Sequence, residues 1–487
     1  MARRDRRLRG RSATNVRVIL AALSVVAATS VTFPVTTKDP QAQALFDRGL
    51  FLYYAYDRAD AADAFAAAAA RDPNLAMAYW GEALAAGPDL NNPMTEERFT
   101  SGQTAIARAK ALEGSATARE RDFIDVMSLR YHGSWDDWEA DGVQYRRAMA
   151  ALARGRNDSD AKLLSAEAMM EHSVPTQAVF DAIGDVLAAD PSNPMANHLC
   201  IHAYDGAPDR TAALPCAQRL DGADFPPEAE HLAHMPAHYW IETGSYDKAV
   251  ASSERAYQLL LALERSTQRA LGDEPYAIHD IGVGYAAAMM LGSYARATEW
   301  ANRLDPLMPG RYDALTALRF ARYADAASAS NVQLFGPQVR GMALLHLGRL
   351  AEAQAIAADL LKAGEPRGDL ALLFFARLAE AEGNDREART RFDEALQRQR
   401  ADYYAENIPF VPAGEALGGY LLRGGAFAEA AAAFTACLTS YPNDPRALFG
   451  LSKALTAQGK SAEAARVRTR FDAAWAGADT SLTIGDL

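Results

Sequence analysis

The chain has 487 residues, 49% hydrophobic and 23% charged, with a formal net charge of −12. Residues 1–30 hold seven Arg and one Asp, a net +6, so the remainder carries −18. A body this acidic repels phosphate backbones, which excludes nucleic-acid binding, and its hydrophobic content excludes a disordered chain.

The N-terminus reads as a targeting segment. Arg3, Arg4, Arg6, Arg7, Arg9 and Arg11 form a basic region, an apolar stretch runs from Val16 to about Val31, and Ala27, Ala28, Thr29 and Ser30 offer a cleavage zone. The stretch is short for a bilayer span and fits a secretory signal, with an uncleaved N-terminal anchor as the alternative. The expected location is therefore periplasmic or secreted, or else anchored at the membrane through the N-terminus alone.

From residue 40 onward the chain is rich in alanine and poor in β-branched residues, which favours helix. Ala61, Phe65 and Ala69 fall at helical spacing before Asp72-Pro73, and the same Asp-Pro ending is expected at Asp190-Pro191 and Asp444-Pro445. A marker then recurs: Gly244-Ser-Tyr-Asp-Lys-Ala249, Gly292-Ser-Tyr-Ala-Arg-Ala297, Gly348-Arg-Leu-Ala-Glu-Ala353, Gly383-Asn-Asp-Arg-Glu-Ala388, Gly425-Ala-Phe-Ala-Glu-Ala430 and Gly459-Lys-Ser-Ala-Glu-Ala464. Its spacings are 48, 56, 35, 42 and 34 residues, two of them at or within one residue of the tetratricopeptide period. Glycine ends the first helix of a pair where the backbone turns left-handed, and small alanines let the second helix approach. The expected fold is an all-α solenoid of about nine to ten tetratricopeptide-like helix pairs. Residues 1–35 form the leader, 36–321 an N-terminal repeat domain, 322–337 a break, 338–478 C-terminal repeats and 479–487 a tail. The aromatic runs Tyr53-Tyr54 and Tyr403-Tyr404 read as repeat packing.

Three cysteines make no disulfide scaffold. Cys200 and Cys216 flank a short turn, so antiparallel helices on either side would bring their sulfurs together in an oxidising compartment; the alternative is two buried thiols. Cys437 stands alone.

Five of the nine histidines fall between residues 198 and 238. His198 and His202 are four apart, about 40° around a helix; His231, His234 and His238 span about 60°. His279-Asp280 follows one helix pair later. Each set sits on the first helix of its pair, the helix that lines the concave groove of such a solenoid. Neutral imidazole serves Zn, Cu, Fe and Ni alike. Six imidazoles exceed one tetrahedral site, so either two transition-metal ions bind or some rings orient others. Glu171, Asp205, Glu228, Glu230 and Asp280 supply carboxylates nearby, His172 is a further candidate, and Trp80 and Trp240 are candidates to wall the groove. Taken alone, His132 and His346 read as ordinary structural residues.

At these residues the chain resembles a group of bacterial tetratricopeptide-repeat proteins, many with export signals. The resemblance lies in His198-Leu-Cys-Ile-His202-Ala-Tyr204-Asp205, in His231-Leu-Ala-His234-Met235-Pro236-Ala-His238 and in Tyr276-Ala-Ile-His279. In the N-terminal repeat it lies in Phe46-Asp-Arg-Gly-Leu50 and Ala76-Met-Ala-Tyr-Trp-Gly81. It spans residues 44 to 300; the C-terminal part is generic repeat. Ala237 stands where the group usually has Ser, and Tyr239-Trp240 where it has an aliphatic residue and Phe, so a hydrogen bond near the site is lost here. The resemblance implies the architecture and a shared histidine site, and it carries no reaction.

Three functions fit the sequence. The first is an exported repeat protein that binds a transition metal through His198, His202, His231, His234, His238 and His279 and presents a groove to a protein or peptide partner. The second uses the same cluster as a metal-dependent oxidase, oxygenase or hydrolase, with Asp280, Glu230 and Asp205 as candidate general bases. The third is a metal-free interaction scaffold. The fold alone does not choose among them.

Overall fold

The structure, a computed structural model, describes residues 31–171, 174–207, 209–310, 312–329, 336–364, 368–401 and 411–487. Residues 1–30, His172, Tyr403-Tyr404 and Ser330-Asn331 of the expected break lie outside them. The described chain is helical throughout, built from antiparallel helix pairs stacked into a tetratricopeptide-like solenoid.

The first pair, Pro40–Tyr54 and Arg58–Arg71, shows how the sequence produces the unit. Asp39 caps the first helix by accepting from Gln41 N, and Asp57 caps the second by accepting from Asp60 N. The second helix buries Ala61, Phe65, Ala68 and Ala69. The next helix, Ala76–Ala85, crosses close over Phe65: a Cβ at Gly81 would lie 2.3 Å from that ring, so only glycine permits the approach. Phe33, Phe46, Trp80 and Phe123 complete a buried aromatic cluster, with Trp80 Nε1 donating to the Phe123 carbonyl at 3.1 Å. Phe33, two residues before the end of the segment assigned to the leader, is thus wholly inside the folded body.

All six marker glycines have positive φ, between 69° and 78°, as the turn at these positions requires. The described residues form twelve helix pairs, more than the nine or ten read from the sequence. Six of the twelve turn without a marker glycine, and two of those turns place a non-glycine residue in the left-handed conformation, Tyr56 at φ 68° and Ala321 at φ 58°. The Asp-Pro expectation divides. Asp72 and Asp190 end helices, but Asp444 begins one: it accepts from Arg446 N and Ala447 N, with Pro445 at the first helical position.

Buried apolar side chains form two clusters, one from Phe33 to Phe320 and one from Ala314 to Leu487, with Tyr312 and Tyr441 packed against both. The C-terminal pairs fold back on the middle ones. Tyr246 donates to the Pro442 carbonyl at 2.9 Å, and Asp479 accepts from Tyr294 N at 2.7 Å and Ala295 N at 3.0 Å. Cys200 and Cys216 form a disulfide joining helix Pro194–Tyr204 to helix Leu214–Asp221, and Cys437 is buried and free. No described helix is long and apolar enough to cross a membrane.

Candidate metal centre

Three helices deliver the histidines. Asn193 caps Pro194–Tyr204, which carries His198 and His202 on one face. His231 and His234 lie on Glu230–His234, and His238 on Pro236–Glu242. Met235 between them keeps helical dihedrals (φ −49°, ψ −38°), so the three rings stay on one rod although Pro236 lacks an N–H. His279 and Asp280 sit in the first turn of Ala277–Met289. All three are first helices of successive pairs, as the repeat frame predicts.

The six imidazoles are contiguous and fall into two triads. Ligand-capable atoms of His198, His202 and His231 all lie within 4.8 Å of one another, and so do those of His234, His238 and His279. In the second triad His234 Nε2 is 2.8 Å and His279 Nε2 3.4 Å from His238 Nε2. Three imidazole nitrogens bound tetrahedrally to Zn at about 2.05 Å would stand about 3.3–3.4 Å apart, so small adjustments bring these rings to ligand spacing.

Asp280 links the triads. Its Oδ1 is 3.1 Å from His231 Nδ1 and 3.6 Å from His234 Nε2. Carboxylate contact with Nδ1 fixes the His231 tautomer and leaves the Nε2 lone pair for a ligand bond. That Nε2 is buried without a hydrogen-bond partner, as are both ring nitrogens of His198, Nδ1 of His234 and Oδ2 of Asp280. Each buried polar atom left unpaired costs about 1–3 kcal/mol. A metal takes one nitrogen from each ring, so His198 and His231 together offer it two such nitrogens, roughly 2–6 kcal/mol. A bound cation offsets that cost, so the donor set fits a metal.

The electrostatics point the same way. Burial first, and the neighbouring imidazoles second, push His198, His234 and His238 well below the usual imidazole range and His202 down to about 3. Burial lowers His279 to about 4 against the opposing pull of Asp280. These five rings are thus neutral at physiological pH, the state a metal requires. Glu230 is shifted the other way: burial, then the Asp280 and Asp57 carboxylates, hold it well above the usual carboxylate range, and its Oε2 has no partner.

Two expectations need correction. The histidines do not line an open groove: His198, His202, His231, His234 and His238 are buried, and only His279 is partly exposed. The reason is the turn between the first two helices, which places Tyr56 over the cluster, its ring 4.2 Å from His198 and 5.7 Å from His231. Nor do Trp80 and Trp240 wall the site. Trp80 belongs to the aromatic cluster around Phe33, and Trp240 donates to Asp221 at 2.7 Å. The rings that cover the histidines are Tyr56 and Tyr276, the latter 4.2 Å from His231 and donating its hydroxyl to Asp89 at 3.0 Å. Tyr276 is in the resembling motif; Tyr56, at the turn of a distant repeat, carries no signal in sequence.

The carboxylates separate in the same way. Asp280 joins the histidines, whereas Asp205 hydrogen-bonds Glu242, Glu171 pairs with Arg130 at 2.8 Å and Glu228 with Arg48 at 2.8 Å. His132 is exposed, and His346 stacks on Tyr323 at 4.1 Å in the C-terminal cluster.

No protein-family model and no curated protein matches the chain. Among solved structures it is similar to yeast Tom70, at 13% identity over 92% of this chain and 94% of that one with a TM-score of 0.29. It is also similar to the Cut9–Hcn1 hetero-tetramer of APC/C, at 11% identity over 79% and 92% of the two chains with a TM-score of 0.27. Superpositions this loose add nothing to the fold already described, which rests on the helix pairs themselves.

Proposed function

We propose that this protein binds two transition-metal ions in its middle repeats, one at His198, His202 and His231 and the other at His234, His238 and His279. The observation that carries the reading is the pairing of two buried tri-histidine groups around the single carboxylate of Asp280. Unpartnered nitrogens on His198 and His231 support it, because no described protein group satisfies them. The Cys200–Cys216 disulfide supports an oxidising, exported setting, in keeping with the basic and apolar N-terminus and with the exported bacterial proteins that the histidine motifs resemble. In this reading the repeats outside the site carry the surface for a protein or peptide partner.

A second reading, a metal-dependent oxidase, oxygenase or hydrolase, is favoured by Glu230. Bound metal would supply Lewis acidity or an activated oxygen ligand. The chain would supply the proton inventory: burial favours the protonated form of the Glu230 carboxyl next to His231, and Asp280 fixes the proton of His231 on Nδ1. Tyr56 and Tyr276 exclude bulk water above the rings.

X-ray absorption at the metal edge of the loaded protein tests the first reading. Nitrogen and oxygen scatterers at about 2.0–2.1 Å with no sulfur scatterer are expected. A sulfur-rich or fully aquated shell would remove the ion from the histidines.

A further inference from the structure

Beyond the helix Ser461–Ala474, residues 480–487 lie on the inner face of the C-terminal repeats. Residues 480–487 contain one short turn, Ile484–Asp486, closed by Asp486 accepting from Thr483 N and Oγ1 at 2.7 Å. They are held by side chains from the first helices of successive pairs. Arg423, on Ala413–Arg423, donates to the Leu487 main-chain oxygen at 2.7 Å and to the Ile484 carbonyl at 3.3 Å. Arg377, on Asp369–Ala381, donates to the same Leu487 oxygen, and Arg446, on Pro445–Ala457, donates to the Asp486 carbonyl. Tyr323 donates to the Asp486 carboxylate at 2.7 Å. Leu487 is 2% exposed, and a Cβ on Gly419 would lie 2.6 Å from the Leu487 carbonyl carbon, so glycine is what makes room for it.

These contacts have the form of a ligand in a groove: guanidinium and phenol donors on rigid helices meet main-chain oxygens and one carboxylate of an irregular segment, with one apolar side chain seated. The charge fits an acidic ligand. Arg377 and Arg423 share one carboxylate, Glu380, at 3.1 and 2.8 Å, so two guanidinium groups stand beside the Leu487 oxygen with one ion-pair partner between them among the described residues.

We propose that the inner face between Asp369–Ala381 and Pro445–Ala457 is a docking site for an extended peptide carrying aspartate followed by leucine, and that residues 480–487 occupy it in cis. A partner bearing such a segment displaces the tail. This proposal is independent of the metal site.

The test is fluorescence anisotropy with a labelled peptide of residues 480–487 and the full-length protein. The Asp486→Lys/Leu487→Asp variant releases the tail and is expected to bind the peptide at least tenfold tighter than the wild type. Adding Arg377→Ala/Arg423→Ala to the released variant is expected to abolish that binding. An unrelated octapeptide that keeps only the Asp-Leu end is expected to compete. Equal binding by wild type and released variant, insensitivity to the two arginines, or competition by the tail sequence alone would each overturn the proposal, the last because it marks the tail as a structural part. Should the released variant not fold, a protease site introduced between Thr480 and Ser481 frees the tail after folding. A cut tail displaced by the Asp-Leu octapeptide supports the proposal, and one that the octapeptide does not displace contradicts it.

Discussion

Asp280 Oδ1 lies 3.1 Å from Nδ1 of His231, and both side chains are 1% exposed. The carboxylate orients a ring from another helix and stands at the junction of the two triads. Loss of a carboxylate that orients a ligating imidazole usually costs 10–100-fold in metal affinity. Asp280→Asn should therefore weaken binding by about that factor in competition titration against a chromophoric chelator. An unchanged affinity would mean that Asp280 only fills space.

Metal should stabilise the fold, because the unfolded chain does not hold six imidazoles together. At 100 times the dissociation constant a bound ion adds about 2.7 kcal/mol. The chelator-stripped protein should melt several degrees lower than the reloaded one, and Zn, Cu, Fe or Ni added to a His198→Ala/His238→Ala variant should recover little of the difference. Identical melting curves with and without metal would count against the site.

The stripped protein should lose stability in mild acid. The folded values of His202, about 3, and His279, about 4, lie below the usual 6.5. Between 6.5 and those values the unfolded chain binds more protons than the folded one, so stability falls as pH drops through that window and is flat from these groups above it. By pH 5 the loss is about 2 kcal/mol from His202 and less from partly exposed His279. Urea midpoints at pH 7 and pH 5 measure this, and the fall should be shallower in His202→Asn/His279→Asn. A midpoint that rises on acidification would contradict the burial of these rings.

The disulfide closes a loop with a sequence separation of 16 and ties down the helix that carries His198 and His202. A cross-link of that span is worth about 3 kcal/mol. Cys200→Ser/Cys216→Ser should lower the urea midpoint correspondingly and leave Cys437 as before. A midpoint insensitive both to this substitution and to reductant would mean that the bond is not formed in solution.

The repeat architecture is legible in the sequence because its marker is local. Gly348 and Gly459 announce turns that depend on a few neighbouring residues, and they turn as expected. Turns made without glycine, at Tyr56 or at Ala321 with φ 58°, give no such notice, and the sequence reading undercounts the pairs accordingly. Which histidines share a helix face is likewise legible from the i, i+3 and i+4 spacings, but their division into triads is not, since His231 joins His198 and His202 rather than His234 and His238. Nor is their burial. It depends on Tyr56, more than a hundred residues from His198 in sequence, reaching across the superhelix. Asp444 shows the same limit at small scale: an Asp-Pro pair both ends and begins helices, and the residues beyond the proline decide which.

The most direct test of the proposed metal centre is elemental analysis of the protein, purified without chelator or affinity nickel, alongside His202→Ala, His234→Ala and the double variant. Two equivalents of transition metal in the wild type, one in each single variant and none in the double variant are predicted. No metal in the wild type, with no uptake of Zn, Cu, Fe or Ni on titration, would contradict the account and leave a metal-free interaction scaffold.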